Sequence, residues 1–466
     1  MKKVPALFAL LLVGCSAVGP DYQPPEAPTL PHPILVGEDS EITTLLKWWE
    51  QFQDPVLSEL ITKGLEHSPT IDAALERLRA ARASREGSES NYYPTFTADG
   101  SYTWSRGWDG ASETKGWNER IGGSINARWE LDIFGGVRRS VEQAIAREEH
   151  LAYTLQDLRV SLAAEIATAY VDVRRYAAQV CIAERNLALQ ERSTNRTKMK
   201  VDNGDIPPYD YYSSEAQVAR TRATIPTLKQ NLRAAQLRID WLTGNLPYAS
   251  QALIEATTDK MVEPSQLPRT NSNEILRRRA DIRAAEAAIH EQTAAVGVAT
   301  ADLYPKFFLS GTMGLSSPDL TPWDNYTKSI SFGPSISWNL FDFGYWQKRI
   351  DAQEATLNAT IAEYKNVVLQ AYQETETTWH ACLNEMSRHD DLSIAANATA
   401  KALDVASRRY DLGEADIEDV LTQQANLLVA QENIVIHRAN IFAHLITLYR
   451  SLGGGWIDED QATPQP

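Results

Sequence analysis

The chain has 466 residues, 43% of them hydrophobic, and sets 45 Lys and Arg against 61 Asp and Glu for a formal charge of −16. So acidic a chain is a poor partner for nucleic acid. No stretch approaches about 18 consecutive apolar residues, so passage through a bilayer would have to be made by a closed β-barrel.

Lys2 and Lys3 precede an apolar run from Val4 to Gly14. This is far short of the about 20 residues of a spanning helix and reads as a secretory signal over residues 1–14. Leu12-Val13-Gly14-Cys15 resembles a bacterial lipobox, which implies that Cys15 is acylated and becomes the mature N-terminus. Ser16 after it is what outer-membrane lipoproteins show, and loss of the two lysines takes the charge from −16 to −18. Residues 15–50 carry six prolines between Pro20 and Pro33 and read as an acylated, extended tether.

A first repeat is expected over residues 51–245. It begins with helical periodicity from about Pro55 to Ser90, followed by a strand pair within 93–134. In Phe96 to Trp104, apolar Phe96, Ala98, Tyr102 and Trp104 alternate with Thr97, Asp99, Ser101 and Thr103. In the second strand, Ile125, Ala127, Trp129, Leu131 and Ile133 alternate with Ser124, Asn126, Arg128, Glu130 and Asp132. Period two with charge on one face and aromatics on the other fits a membrane barrel, with Trp104, Trp129 and Trp338 at the interfaces.

After "WELDIFGG" (Trp129 to Gly136) the period changes to about 3.6, and no proline interrupts the chain from Gly136 to Asn203. That predicts a helix about 100 Å long. The chain reverses at "DNGDIPPYD" and returns, giving a helical hairpin over 136–245 of about that length.

"WNLFDFGY" at Trp338 to Tyr345 repeats the earlier phrase 209 residues later, and Gly204/Gly413, Asp210/Asp419 and Gly244/Gly453 keep that spacing. A constant offset means an internal tandem duplication. After a connecting segment at 246–272, the second repeat is expected over 273–453, with a helix, a strand pair within 305–342 and a hairpin over 344–453. A tail follows at 454–466. In the returning arm Val420, Leu427, Ile434, Ile441 and Leu448 recur every seven residues, as do Tyr211, Val218, Ile225, Leu232 and Ile239 in the first repeat. Strict sevens imply supercoiled helices. Cys181 and Cys382 differ by about 12 Å in height on equivalent helices and read as two separate buried residues rather than a disulfide.

Four strands cannot close a barrel, and eight would fill their own interior. Three copies with twelve strands are the smallest assembly that leaves a pore.

Together "CSAVGPDYQPP", "WWEQFQDPVL", "DIFG", "FDFG", "RRYDLG" and "WLTG" resemble the outer membrane factors, the TolC-like and OprM-like ducts of tripartite efflux pumps. The resemblance covers nearly the whole chain from Cys15. It implies a mixed α and β membrane protein, a homotrimeric 12-stranded outer-membrane β-barrel continuing into a long α-helical coiled-coil barrel in the periplasm. It implies a passive exit duct for drugs and other amphipathic molecules, partnered by a periplasmic membrane-fusion adaptor, an inner-membrane transporter of RND type and outer-membrane lipid. Carried over, the gate of such ducts falls on Arg409, Tyr410 and Asp419, with Asp416 nearby; Thr422 stands where some relatives have a further acid. Asp202, Asp205, Asp210 and Glu414 make the tips acidic, and Gly204 and Gly413 mark the turns where the adaptor would dock. Lumen-facing acids tripled by symmetry attract cations.

The eight histidines are scattered, with His437 and His444, seven apart, reading as ordinary positions on one helix face; no phosphate loop is present, and the five methionines are not clustered. The sequence thus points to no enzyme, metal site or cofactor. The alternatives are a duct for type I protein secretion and, from another class, a trimeric adhesive coiled coil. The latter would put one barrel segment at a terminus, whereas here strands occur twice, internally.

Overall fold

The structure, a computed structural model, describes residues 17–26, 45–106, 108–109, 112–113, 117–255, 267, 278–318 and 326–456. The signal sequence, Cys15 and Trp323 lie outside them. The described chain divides into two compact units, one drawn from residues 1–26, 76–153 and 283–366 and the other from 27–75, 154–282 and 367–466.

The first unit carries the sheet. Its strands are β1 (Thr95–Ser105), β2 (Asn118–Leu131), β3 (Lys306–Ser317) and β4 (Thr327–Ser337), in the order β1-β2-β3-β4 and antiparallel throughout. The register keeps the two faces separate. One row runs Ala98, Ile125, Met313, Ile330 and the next Phe96, Ala127, Gly311, Phe332, while the opposite face runs Thr97, Asn126, Thr312, Ser331. Asn126 donates to Asp99 Oδ2 at 2.6 Å and accepts from Thr312 Oγ1 at 2.9 Å. The Arg128 guanidinium lies 4.0 Å from the Phe308 ring centre on this face.

β4 stops at Ser337, short of the alternation that carries on through Trp338 and Leu340. The cause lies just beyond, where the Asp342 carboxylate accepts from the N–H groups of Gly344 and Trp346, each at 3.0 Å. It thereby satisfies donors at the start of the next helix. Asp132 does the same for Val137 and Arg138 at the end of β2. Gly135 and Gly344, at φ +82° and +86°, take left-handed conformations that only glycine enters cheaply. Residues 17–26 are fixed on this unit, with Val18 N donating to Phe134 O at 3.0 Å and Arg139 reaching Val18 O and Asp21.

The α-helices of the described residues are α1 (Pro55–His67), α2 (Pro69–Glu89), α3 (Gly136–Asp202), α4 (Pro208–Leu242), α5 (Gln251–Glu255), α6 (Ala280–Ala301), α7 (Tyr345–Asp411) and α8 (Ile417–Ser451). In the second unit Asp54 caps α1, accepting from Val56 N at 2.9 Å and Leu57 N at 3.3 Å, and takes the Tyr170 hydroxyl at 2.8 Å. Trp48 stacks on Tyr449 with ring centres 5.7 Å apart, and Phe52 meets Phe442 edge-on.

The outgoing helices α3 and α7 have 67 residues each, about 100 Å. The return helices α4 and α8 have 35, about 52 Å, so the two arms of each hairpin are unequal. All four long helices end in the same turn. Gly204, Gly244, Gly413 and Gly453 sit at φ +71° to +80°. In each turn the next residue donates back five positions, as Asp205 N does to Lys200 O and Glu414 N to Arg409 O. The sevens of α8 are buried at Val420, Ile441 and Leu448 and half-buried between.

Two minor expectations change. Cys181 is exposed and only Cys382 is buried, both with free thiols. His437 is 3% exposed, and its Nδ1 lies 2.7 Å from Glu385 Oε2, a buried pair rather than an ordinary helix-face position.

Candidate functional site

The acidic turns lie at the far ends of α3 and α7. Tyr410, in the last turn of α7, is half-buried, and Lys200, in the last turn of α3, holds its ammonium 4.4 Å from the Tyr410 ring centre. A cation over an aromatic face is attracted by the ring quadrupole, by about 0.5–1 kcal/mol where water has access. Burial raises the pKa of the Tyr410 phenol; the Thr197 hydroxyl works against this and the Asp210 and Asp411 carboxylates add to it. Asp210, in the first turn of α4, is pulled above the ordinary carboxylate value by burial and then by the Asp416 carboxylate.

One side of this cluster therefore attracts and the other repels. Tyr410, Asp210 and Asp416 are brought together. Arg409 instead turns back on its own loop, donating to Glu414 O at 3.1 Å. Asp419 is exposed, as are Asp202, Asp205 and Glu414. Nothing stands within 4 Å of where a Cβ on Gly204 or Gly413 would project, so both turns are open surface in the single chain. Lys200 escaped the sequence reading because a lysine in a last helical turn is already explained by the helix dipole.

The tryptophans divide between the two ends of the sheet. Trp104 packs on Trp117 at the loop end, ring centres 4.6 Å apart. At the helix end Trp129 donates to Tyr92 O at 2.9 Å and Trp338 to Leu303 O at 3.1 Å. A recess of about 640 Å³ opens on the polar face near the helix end, lined by Arg128, Glu130, Asp302, Lys306 and Phe308 among others.

A four-stranded sheet apolar on one face and polar on the other, with both edges unpaired, cannot stand alone in a bilayer. Coupled to 100 Å helices with acidic tips, it defines a membrane channel built from several copies of one chain. The profile of the outer membrane efflux protein family matches residues 60–245 and 271–454, and the chain belongs to that family. It is similar to nodulation protein T of Rhizobium leguminosarum bv. trifolii, 29% identical over 91% of this chain and 90% of that one. A probable efflux pump outer membrane protein, TtgC of Pseudomonas putida, is 26% identical over 97% and 95%. Among solved structures the outer-membrane channel OprN superposes with a TM-score of 0.86 at 32% identity, over 94% of this chain and 99% of that one. The CmeC channel of Campylobacter jejuni shares the fold, with a TM-score of 0.87 at 18% identity over 96% and 97%.

The protein is thus the outer-membrane channel of a tripartite efflux pump. It is a homotrimer whose twelve strands close the barrel in the outer membrane and whose helices extend into the periplasm, where an adaptor links it to an inner-membrane transporter.

Proposed function

We propose that this channel is a passive duct for amphipathic organic compounds, closed at its periplasmic tips by the cluster around Tyr410 and opened when the adaptor separates α3 from α7. The observation that carries the gate is the contact of Lys200 with Tyr410 beside the facing carboxylates of Asp210 and Asp416. An attraction next to a repulsion makes an element that a modest differential affinity of the adaptor can shift. Arg409 braces the turn through Glu414 O, and Asp419 adds negative charge at the mouth. Asp202, Asp205 and Glu414 enlarge the acidic ring, while the open turns at Gly204 and Gly413 are where the adaptor docks.

Cys15 carries the lipid, and Trp104, Trp129 and Trp338 mark the two membrane interfaces. The duct performs no covalent chemistry. Two relatives, each 26% identical, are described as an antibiotic efflux pump and a toluene efflux pump outer membrane protein, in keeping with apolar or amphipathic cargo.

The test is planar-bilayer recording of the purified protein beside an Asp416→Ala/Asp419→Ala variant and Tyr410→Ala. A small cation-selective current is expected in the wild type; it should grow in Tyr410→Ala, which loses the closing contact, and shrink in Asp416→Ala/Asp419→Ala, which loses the repulsion facing Asp210. Equal conductance in all three would remove these residues from the gate.

A further inference from the structure

The duplication is written into contacts as well as residues. Trp129 donates to Tyr92 O, and Trp338 to Leu303 O. Thr95 lies opposite Arg128, and Lys306 opposite Ser337. A Cβ on Gly244 would strike His67 O, and one on Gly453 would strike Arg278 O. Each pair becomes its counterpart when positions in the second strand and return helix move by 209 and positions in the first helix and strand move by 211. Two constant shifts therefore superpose the repeats without a gap on either side of the strand-pair loop.

Inside one chain the repeats join where β2 pairs with β3. The same shifts turn that joint into a pairing of β4 with β1, which a single chain with the order β1-β2-β3-β4 leaves unmade at both edges. We propose that β4 of one protomer pairs with β1 of the next in the register copied from the β2–β3 joint, and that Phe343 seals the joint on the partner subunit's Tyr93. Trp129 lies opposite Leu309 and Asn126 opposite Thr312. The copied register sets Trp338 opposite the partner's Ala98, Ile336 opposite the partner's Gly100, Ser335 opposite the partner's Ser101 and Phe332 opposite the partner's Trp104.

The side chains beyond the strands agree. Within the chain Phe134 stacks on Tyr304, ring centres 4.7 Å apart and planes at 26°. Their shifted copies are Phe343 and Tyr93, 106% and 72% exposed in the single chain, a pairing of aromatics that now face solvent. His290 Nε2 lies 3.3 Å from Glu142 Oε1. The shifted copies are Arg79 and Asp351, a different pair of residue types with the same complementarity. A row of open N–H and C=O groups in hydrocarbon leaves a second copy as the occupant of each edge. The inference takes the trimer as given and does not depend on the gate.

The test uses the full chain in outer membranes, with Cys181→Ser as background. Pairs directly opposite alternate between Cα separations of about 4.5 and 5.5 Å, so Ser335→Cys/Ser101→Cys and Ile336→Cys/Gly100→Cys sample one of each kind. Both distances suit a disulfide, whereas diagonal neighbours stand about 7–8 Å apart. After mild oxidation, a denaturing non-reducing gel should show a covalent trimer from at least one opposite pair, about tenfold stronger than from Ser335→Cys with Asp99→Cys or Thr103→Cys. Stronger linkage from a displaced pair overturns the register, and no linkage from any pair in protein that runs as a native trimer overturns the seam. Should the cysteine variants fail to assemble, Phe343→Ala and Tyr93→Ala decide by the temperature at which the detergent-resistant trimer dissociates. Each should lower it and the double variant should fall no further than the worse single; additive losses overturn the stack.

Discussion

Lys200→Gln isolates the attractive half of the tip. The substitution keeps a polar side chain, one atom shorter, but removes the charge that lies 4.4 Å from the Tyr410 ring centre. One partly exposed cation–π contact contributes about 0.5–1 kcal/mol, and threefold symmetry makes three of them. If the tips open together, the closed state loses about 1.5–3 kcal/mol per trimer, which raises the open-to-closed ratio roughly ten- to a hundredfold. Single-channel recording in planar bilayers reads that ratio directly as open probability. Tyr410→Phe supplies the control, since it keeps the ring and the cation–π contact and should stay within a few-fold of wild type. An unchanged open probability in Lys200→Gln, or a Tyr410→Phe variant as leaky as Tyr410→Ala, would refute the assignment of the closing force to this contact.

The acid response of the tip has a definite sign. Asp210 is held above the ordinary carboxylate value of about 3.9 by burial and the Asp416 charge, so the closed tip binds its proton more tightly than an open, solvated one. Open probability should therefore fall as pH drops through the raised value and level off below about 3.9, and Asp210→Asn should flatten the curve; a channel that opens on acidification would contradict this. The turn glycines should separate in a thermal unfolding series. Gly413→Ala bears only the left-handed backbone cost of about 1–2 kcal/mol, whereas a Cβ at Gly453 would also lie 2.7 Å from Arg278 O, so Gly453→Ala should melt at the lower temperature. Equal melting points would mean that the Gly453 turn yields at no cost.

The strand faces were legible because the pleat fixes a period of two, and Ile125 and Asn126 cannot exchange faces without moving every neighbour. The helix ends were legible because Gly204 and Gly413 punctuate long proline-free runs. The end of β4 was not, since Trp338 and Leu340 extend the alternation past the point where Asp342 begins to cap α7. Arg409 invites pairing with an acid, yet the turn places the Glu414 carbonyl nearer. Lys200 and Tyr410 lie 210 residues apart, and no local pattern joins them. The buried His437–Glu385 pair is hidden for the same reason, because its partners sit on different helices.

The equal spacing of the two hairpins also exposes where they have diverged. Pro207 and Pro208 open the first return arm, and Pro226 lies within it, while the matching positions of the second arm are Asp416, Ile417 and Val435. Each proline fixes one backbone torsion and removes one donor, so the first turn has few alternative shapes, whereas the second keeps its full torsional freedom. Two copies of one design thus differ in how tightly the backbone constrains the turn between their arms.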